Sequence, residues 1–236
     1  MREPKNAKVL SRLENVLVTQ LDVNNFSSIK KSVEKAISHF GRIDVLLNNA
    51  GYSVYSPLES TTEEQIHNIF NTNVFGALEV IKAITPIFRS QHNGMIINVS
   101  SIGGKMTFPL GCLYYGTKYA IEGISEALTW EMQSIGVKVK IIEPGFTATE
   151  FRVEEGAGKH YAEYDNLKQK LYEDLLPKLK TATPPQKIAE VILQAATDES
   201  DELRYPTGDY VVEWMALRSK VDDATFLATH RKQMGL

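Results

Sequence analysis

Three short apolar runs, each followed by a polar or glycine-containing turn, constrain the fold of this chain more than any other feature. They cover residues 43–47, 95–99 and 137–142, and longer segments with helical spacing of apolar residues separate them. Strands that are apolar on both faces and alternate with helices are typical of a parallel sheet covered on both sides. The sequence therefore predicts a doubly wound α/β fold in three layers, α/β/α, with these strands buried on both faces. Residues 16–21 are interpreted as one more strand.

The segments between the apolar runs predict helices with recognisable ends. A first amphipathic helix ends at Gly41, because glycine is the usual residue just after a helix. The start of a long helix is predicted from two overlapping capping-box pairs, Ser60/Glu63 and Thr61/Glu64. Residues 113–134 predict another long helix, and a last strand is expected near residues 210–212.

We interpret residues 1–236 as a single domain with an inserted lid. Residues 146–180 are polar and contain glycines, and they follow the C-terminal end of a predicted strand, where α/β sheets bind ligands. This position favours a lid over a bound substrate. The alternative is a solvated helical excursion.

The composition excludes several functional classes. A formal charge of −3 gives no general attraction to nucleic acid or to anionic membranes, and no apolar run approaches the length of about 18 residues that a membrane span needs. The single cysteine, Cys112, cannot form an intramolecular disulfide, which favours a reducing compartment. Five scattered histidines show no ligand spacing, so no metal site is predicted. We expect a cytoplasmic protein with no nucleic-acid partner.

Tyr114 and Lys118 stand four residues apart on a predicted helix, so they share one face of it. An ammonium group beside a phenol lowers the phenol's pKa from about 10 and lets it exchange a proton with an alcohol or ketone. The spacing alone is more often a surface pair, and it recurs at Tyr164 and Lys168. Only the first pair has a serine, Ser101, thirteen residues before the tyrosine at a strand end. The second pair is therefore interpreted as structural.

Five motifs surround this pair in a fixed order. They are Asp22 in Leu-Asp-Val, Asn-Asn-Ala-Gly at 48–51, Asn73 on a helix, Ser101 with Tyr114 and Lys118, and Pro144-Gly145 with Thr149. In order and spacing they resemble the motifs of the short-chain dehydrogenase/reductase family, and the chain is similar to its retinol- and hydroxysteroid-dehydrogenase-like branch. The resemblance implies a Rossmann-type sheet.

The resemblance also implies a role for each matching residue. Tyr114 would be the general acid/base, Lys118 would lower its pKa and bind the nicotinamide ribose, and Ser101 would donate to the substrate oxygen. Asn73 would hold a water in a proton relay from the lysine, with a helix asparagine bonded to local backbone as the alternative. The implied cofactor-binding residues are Asp22, Asn49, Ala50, Gly51, Tyr114, Lys118, Pro144, Gly145, Thr147 and Thr149. An ordinary turn glycine at Gly51 and a capping role for the last segment remain alternatives.

A glycine-rich turn, which the family uses for the cofactor's pyrophosphate, is not formed by any of the fifteen glycines. The resemblance therefore implies that the first strand, the first helix and most of the second strand are missing, which would leave the strand at 16–21 without a neighbour. We favour a fragment of a normal enzyme over a truncated product. Arg2 falls just after the implied second strand, where an arginine favours a 2′-phosphate, so NADP is preferred over NAD. The alternative is a surface arginine.

The sequence thus predicts an oxidoreductase that transfers a hydride between NAD(P)(H) and a carbonyl or secondary alcohol. Aromatic residues around the expected site indicate a small-molecule substrate with an apolar body: Tyr52, Tyr55, Phe108, Phe146 and Phe151. A homodimer or homotetramer is implied by the resemblance, and Trp130 is interpreted as a core or subunit-interface residue. The alternative is a non-catalytic nucleotide-binding or scaffold protein on the same fold, although such relatives tend to lose the tyrosine or the lysine.

Overall fold

A computed structural model describes residues 1–7 and 9–235 of the chain. The strands in this part are β1 (Val45–Asn48), β2 (Ser53–Tyr55), β3 (Gly94–Val99), β4 (Val137–Pro144), β5 (Val153–Glu155) and β6 (Arg204–Thr207). The helices are α1 (Phe26–Phe40), α2 (Glu63–Phe70), α3 (Gly76–Gln91), α4 (Cys112–Gln133), α5 (Asp165–Lys180), α6 (Pro185–Thr197), α7 (Asp209–Arg218) and α8 (Asp223–Gln233). None of these helices is long and apolar enough to cross a membrane.

The main sheet has four parallel strands in the order β1-β3-β4-β6. Two neighbouring residues of β3 point to opposite faces of the sheet and pack against different helices. Ile96 packs with side chains of α1, α3 and α4, whereas Ile97 packs with Ile142 and with α6. Because both side chains are fully buried, the sheet lies between two helical layers. The predicted doubly wound α/β/α fold is confirmed.

The strand predicted at 43–47 exists as β1, but the expectation that both of its faces are buried was wrong. Val45 is 40% exposed and Leu47 is 41% exposed, while the intervening Leu46 packs into the core. In the described part of the chain β1 pairs only with β3, so it forms an edge of the sheet. Helix α6 packs on β3, β4 and β6, which covers the centre of the sheet and not this edge.

The strand predicted at 16–21 was also wrong, since these residues adopt no regular secondary structure. Their backbone forms hydrogen bonds with Met1 instead. The Leu21 N–H donates to the Met1 carbonyl at 2.8 Å, and the Met1 amino group donates to the Thr19 carbonyl at 3.2 Å.

The helix predictions hold with two corrections. Gly41 ends α1 with a φ of 79°, a left-handed conformation that suits glycine. The capping box that opens α2 is Thr62 with Gln65, not either of the two predicted pairs. The last strand is β6, and residues 210–212 belong to α7, where the fully buried Val211 packs into an apolar cluster. A pair of valines favours a strand locally, but burial on one helical face decides the outcome here.

The predicted lid segment, residues 146–180, contains β5 and α5. Strand β5 pairs in parallel with β2, which places Val153 opposite Ser53. Most of the segment is exposed, although Leu171 of α5 is buried. A substrate lid within a single domain stays a prediction.

Candidate active site

Ser101 and Tyr114 meet at the carboxyl ends of β3 and β4. Ser101 follows β3 and caps a short helical turn, because its Oγ accepts the Gly103 N–H at 3.0 Å. The same hydroxyl donates to the carbonyl of Pro144, the last residue of β4, at 3.4 Å. Tyr114 lies in the first turn of α4 and is buried, as is Ser101. Carboxyl ends of parallel strands are where such folds bind their ligands.

The environment of Tyr114 keeps its phenol protonated. Burial raises the pKa of Tyr114, the hydrogen bond with Ser101 opposes this, and Tyr55 adds to the increase. The resemblance implies that Lys118 lowers the pKa of Tyr114, whereas the surroundings of Tyr114 raise it. The rings of Tyr55 and Phe151 lie 6.2 and 6.0 Å from the Tyr114 ring and shield it from water.

Lys118 is buried one helical turn after Tyr114. Its ammonium donates to the Val99 carbonyl at the end of β3 at 2.9 Å, and its Nζ lies 5.8 Å from the centre of the Tyr114 ring. Burial lowers the pKa of Lys118 to about 8, while the charge of Glu122 opposes that change. A lysine with such a pKa can gain or lose a proton near neutral pH. We call Ser101, Tyr114 and Lys118 the Ser–Tyr–Lys triplet.

Asn73 lies in a wide π-helical turn (Asn71–Phe75) between α2 and α3, a feature often found at functional sites. Its Oδ1 accepts the Tyr52 N–H at 3.0 Å, and its Nδ2 donates to the Tyr52 carbonyl at 2.8 Å. Nδ2 also donates to Thr117 Oγ1 on α4 at 3.1 Å. The alternative of an asparagine bonded to local backbone is therefore wrong, since its side chain holds the turn after β1 against α4. The sequence did not predict this positioning role.

Gly51 brings the backbone of that turn close to the triplet. A Cβ atom at this position would lie 3.2 Å from Asn73 Oδ1 and 3.9 Å from Lys118 Nζ. A side chain here would therefore fill the space beside the lysine. Asn49 and Ala50, the other predicted cofactor contacts of this turn, are exposed.

The segment after β4 is held by partners that the sequence did not reveal. The Tyr210 hydroxyl accepts the Phe146 N–H, and the Thr183 N–H donates to the Phe146 carbonyl at 2.8 Å. Thr147 Oγ1 donates to the Gly145 carbonyl at 3.1 Å, whereas its backbone N–H has no hydrogen-bond partner among the described residues. Thr149, predicted to bind the carboxamide, is exposed. The N–H of residue 147 is thus left available to a ligand.

The two predicted contacts nearest the N-terminus are Arg2 and Asp22. Arg2 is exposed, and burial raises the pKa of Tyr52 while the charges of Arg152 and Arg2 oppose that effect. Arg2 therefore lies near the turn that carries Gly51. Asp22 Oδ1 accepts the Asn24 N–H at 3.0 Å just before α1, and no hydrogen bond in the described residues joins Asp22 to the triplet.

Not all of the predicted aromatic lining surrounds the triplet. Tyr55 and Phe151 face the Tyr114 ring, and Tyr52 packs in the same cluster. Phe108 packs against the same cluster through Tyr115 and also contacts Trp214 of α7, whereas Phe146 stacks on Tyr210.

The second tyrosine–lysine pair makes exposed contacts only. Tyr164 donates to Glu59 at 2.6 Å, and Lys168 pairs with Glu155 at 2.8 Å. This pair has the same spacing as Tyr114 and Lys118 but lies outside the site, as predicted.

With this geometry in place, a family model described as short chain dehydrogenase matches residues 1–160. The chain belongs to the short-chain dehydrogenase family. This short-chain dehydrogenase is 42% identical over 144 residues to the 3-ketodihydrosphingosine reductase of Bacteroides thetaiotaomicron, covering 61% of the chain and 54% of that reductase. It is 32% identical over 231 residues to the oxidoreductase YusZ of Bacillus subtilis (92% of the chain, 82% of the relative). It is also 29% identical over 228 residues to human 17-beta-hydroxysteroid dehydrogenase type 1 (92% and 68%).

Two solved structures share the fold over most of the chain. A short-chain dehydrogenase from Streptomyces avermitilis superimposes with a TM-score of 0.79 at 26% identity, covering 100% of this chain and 87% of that one. ElxO with NADP bound superimposes with a TM-score of 0.70 at 25% identity, covering 87% and 85%. The predicted family is therefore confirmed by sequence and by structure.

Proposed function

We propose that this short-chain dehydrogenase is an oxidoreductase that transfers a hydride between NAD(P)(H) and a carbonyl or secondary-alcohol substrate. The observation that carries the proposal is the convergence of Ser101, Tyr114 and Lys118 at the carboxyl ends of β3 and β4. Each of the three is buried, and two of them are fixed to strand-end carbonyls. A non-catalytic scaffold would have no need to bury a lysine beside a tyrosine.

The residues present fit the nicotinamide end of the cofactor. Gly51 leaves its backbone open beside Lys118, and the N–H of Thr147 is free to bind a carboxamide oxygen. When bound, the nicotinamide supplies or accepts the hydride, and the protein supplies position and the proton. The NADP bound to ElxO supports a nicotinamide dinucleotide here. We infer a preference for NADP over NAD from Arg2, since an arginine just after the implied second strand can pair with a 2′-phosphate.

The triplet would handle the proton as follows. Tyr114, whose pKa is raised by burial, keeps its proton at neutral pH and can donate it to a substrate oxygen during reduction. The Ser101 hydroxyl would donate a second hydrogen bond to the same oxygen, where negative charge develops. Lys118, whose pKa is about 8, would then return a proton to the Tyr114 phenol oxygen. The water relay at Asn73 stays a prediction.

The substrate would present its carbonyl on an apolar body. Tyr55 and Phe151 form aromatic walls next to Tyr114, and such walls favour apolar ligands. The names of the Bacteroides reductase and of the human hydroxysteroid dehydrogenase describe a keto group and a hydroxyl on largely apolar molecules. A homodimer or homotetramer remains our expectation, and Trp130, which is 76% exposed and therefore not a core residue, is available for an interface.

The proposal is tested with the full chain and a panel of apolar ketones and alcohols, following the absorbance of the reduced nicotinamide. We expect turnover of at least one ketone with NADPH, and a lower Kd for NADPH than for NADH in a fluorescence titration. Binding of neither cofactor would contradict the enzyme and favour a scaffold. A lower Kd for NADH would contradict only the assignment to Arg2.

A further inference from the structure

Two buried glutamates lie directly beside the triplet and take no part in the proposed chemistry. Glu143 is the residue before Pro144 on β4, and none of its surface is exposed. Glu122 lies on α4 one helical turn beyond Lys118 and is 4% exposed. Two carboxyl groups so far from water need a specific reason to stay there, because burying a charge is costly.

Positively charged side chains lie closer to Glu122 than to Glu143. Arg204 of β6 donates from Nε to Glu122 Oε2 at 3.0 Å, and the same nitrogen lies 3.7 Å from Glu143 Oε1. Arg204 also bonds the exposed Glu126 at 2.5 Å, and Lys105 lies 3.9 Å from Glu122. Arg204 therefore bonds Glu122 directly and contacts Glu143 only at long range.

The hydrogen bonding of the pair is incomplete without an extra proton. Within the described residues no N–H or O–H group donates to either oxygen of Glu143 or to Glu122 Oε1. Two facing carboxylates cannot donate to each other, whereas one carboxylic acid and one carboxylate can. A proton on Glu143 would therefore satisfy the contact with Glu122 and remove the repulsion between the two charges.

The electrostatics of the site agree with this geometry. Burial raises the pKa of Glu143 to about 8, the charge of Glu122 adds to the increase, and Lys105 and Arg204 oppose it. The charge of Glu122 in turn opposes the lowering of the pKa of Lys118 by burial. The charge on the glutamate pair is therefore transmitted to the proposed proton-transfer residue.

We propose that Glu143 carries a proton at neutral pH and shares it with Glu122, and that the single negative charge of this pair holds Lys118 in its charged form. The pair touches neither substrate nor cofactor, so both glutamates are positioning residues. This inference deepens the proposed function and rests on it for the role of Lys118. The charged groups around the pair are Lys118 and Glu126 on α4, Lys105 after the turn at 102–104, Arg204 on β6, and Arg218 of α7 at the cleft beside it.

The proton on Glu143 is tested without any turnover, on the full chain, by infrared spectroscopy and thermal unfolding. We expect a carbonyl band of a protonated carboxylic acid at pH 7 that Glu143→Gln removes and Glu126→Gln leaves in place. Glu126 is the matched control, because it also forms an ion pair with Arg204 but is exposed to solvent.

The unfolding arm uses the pH dependence of the Tm. Since the pKa of Glu143 is raised in the folded state, its stabilising contribution is complete below the unfolded value of about 4.3 and is lost as pH rises through about 8. Glu143→Gln lacks this loss, so its Tm should rise relative to wild type between these pH values. A constant Tm difference, an unchanged infrared band, or a Glu143→Gln chain that fails to fold would each overturn the proposal.

The effect on Lys118 is measured by NMR from the pH dependence of its ε-carbon shift, assigned with Lys118→Met. Glu122→Gln should lower this pKa by about one unit, because one negative charge a helical turn away is removed. Glu122→Asp should restore most of the shift, and Glu126→Gln should not change it. An unchanged pKa in Glu122→Gln would overturn the coupling. Absence of turnover in wild type would contradict the proposed function alone, since neither spectroscopic result depends on it.

Discussion

The centre of the sheet and its β1 edge differ in how completely their side chains are packed. At the centre, the isoleucines at 96 and 97 are fully buried on opposite faces of β3. At the edge, Val45 and Leu47 of β1 are about two-fifths exposed. The residues before α1 continue this contrast, since Leu13 is 51% exposed and the segment contributes no strand.

The functional groups divide in the same way. Ser101, Tyr114 and Lys118 lie on the elements that pack at the centre, where each has a fixed partner. Arg2 is exposed in the N-terminal segment, whereas Asp22 is half-buried between Leu21 and Val23, which pack against the core. The groups proposed for proton transfer therefore lie in the core of the fold, while Arg2 lies on its surface.

The largest expected effect is on stability and compares one apolar residue from each region. Phe88 of α3 is fully buried and lies against Gly94, so Phe88→Ala leaves a cavity and should lower the free energy of unfolding by about 3–5 kcal/mol. Leu13→Ala should change it by less than about 0.5 kcal/mol. Urea titrations of both variants provide the measurement, and similar losses would show that the N-terminal segment is as well packed as the centre.

A second prediction separates two neighbouring serines at the end of β3. Ser101→Ala removes a donor to the substrate oxygen and should lower kcat about 100-fold. Ser100→Ala is the matched control, because its Oγ is buried but has no hydrogen-bond partner among the described residues. Its kcat should equal that of wild type. Steady-state kinetics with an accepted ketone decide the matter, and equal losses in the two variants would remove Ser101 from the mechanism.

A smaller effect is expected at the β6 edge, where Lys140 is buried and paired with Asp198 and Tyr205. Hydrogen bonds from Lys140 and Tyr205 hold the pKa of Asp198 well below its usual range. The stabilisation is therefore present above the unfolded pKa of about 3.9 and is lost as pH falls through the lower folded value. Asp198→Asn should lower the Tm at pH 7, and the difference should shrink in acid.

The control for this edge is Asp201→Asn, since Asp201 pairs with Lys138 at 3.0 Å but is almost fully exposed. Its Tm should stay close to that of wild type at every pH. A deficit of Asp198→Asn that is the same at pH 3 and pH 7 would argue against the ion pair as its cause.

The features that could be predicted from the sequence depend on local spacing. Tyr114 and Lys118 share a helical face because they are four residues apart, and Ser101 is fixed by the end of β3. The exposure of Val45 could not be predicted, because it depends on which elements cover the sheet edge. The contact of Tyr210 with Phe146 joins residues 64 positions apart, so no local sequence pattern could predict it.

Burial of charged residues was the hardest feature to foresee. Glu143 stands in an apolar strand where a carboxylate would be read as solvent-facing, yet its side chain is fully buried beside Arg204. Only the packing of β4 between α4 and β6 reveals this arrangement. Long-range contacts thus decide the electrostatics of the site, while the sequence motifs decide its chemistry.

The central claim is that the Tyr114 phenol transfers the proton, and its most direct test compares initial rates of wild type, Tyr114→Phe and Tyr164→Phe on one accepted ketone. The two variants make the same change in two tyrosines with the same spacing to a lysine. We predict that Tyr114→Phe loses turnover by about 1,000-fold with an unchanged Tm, and that Tyr164→Phe keeps the wild-type rate. A wild-type rate in Tyr114→Phe would contradict the account.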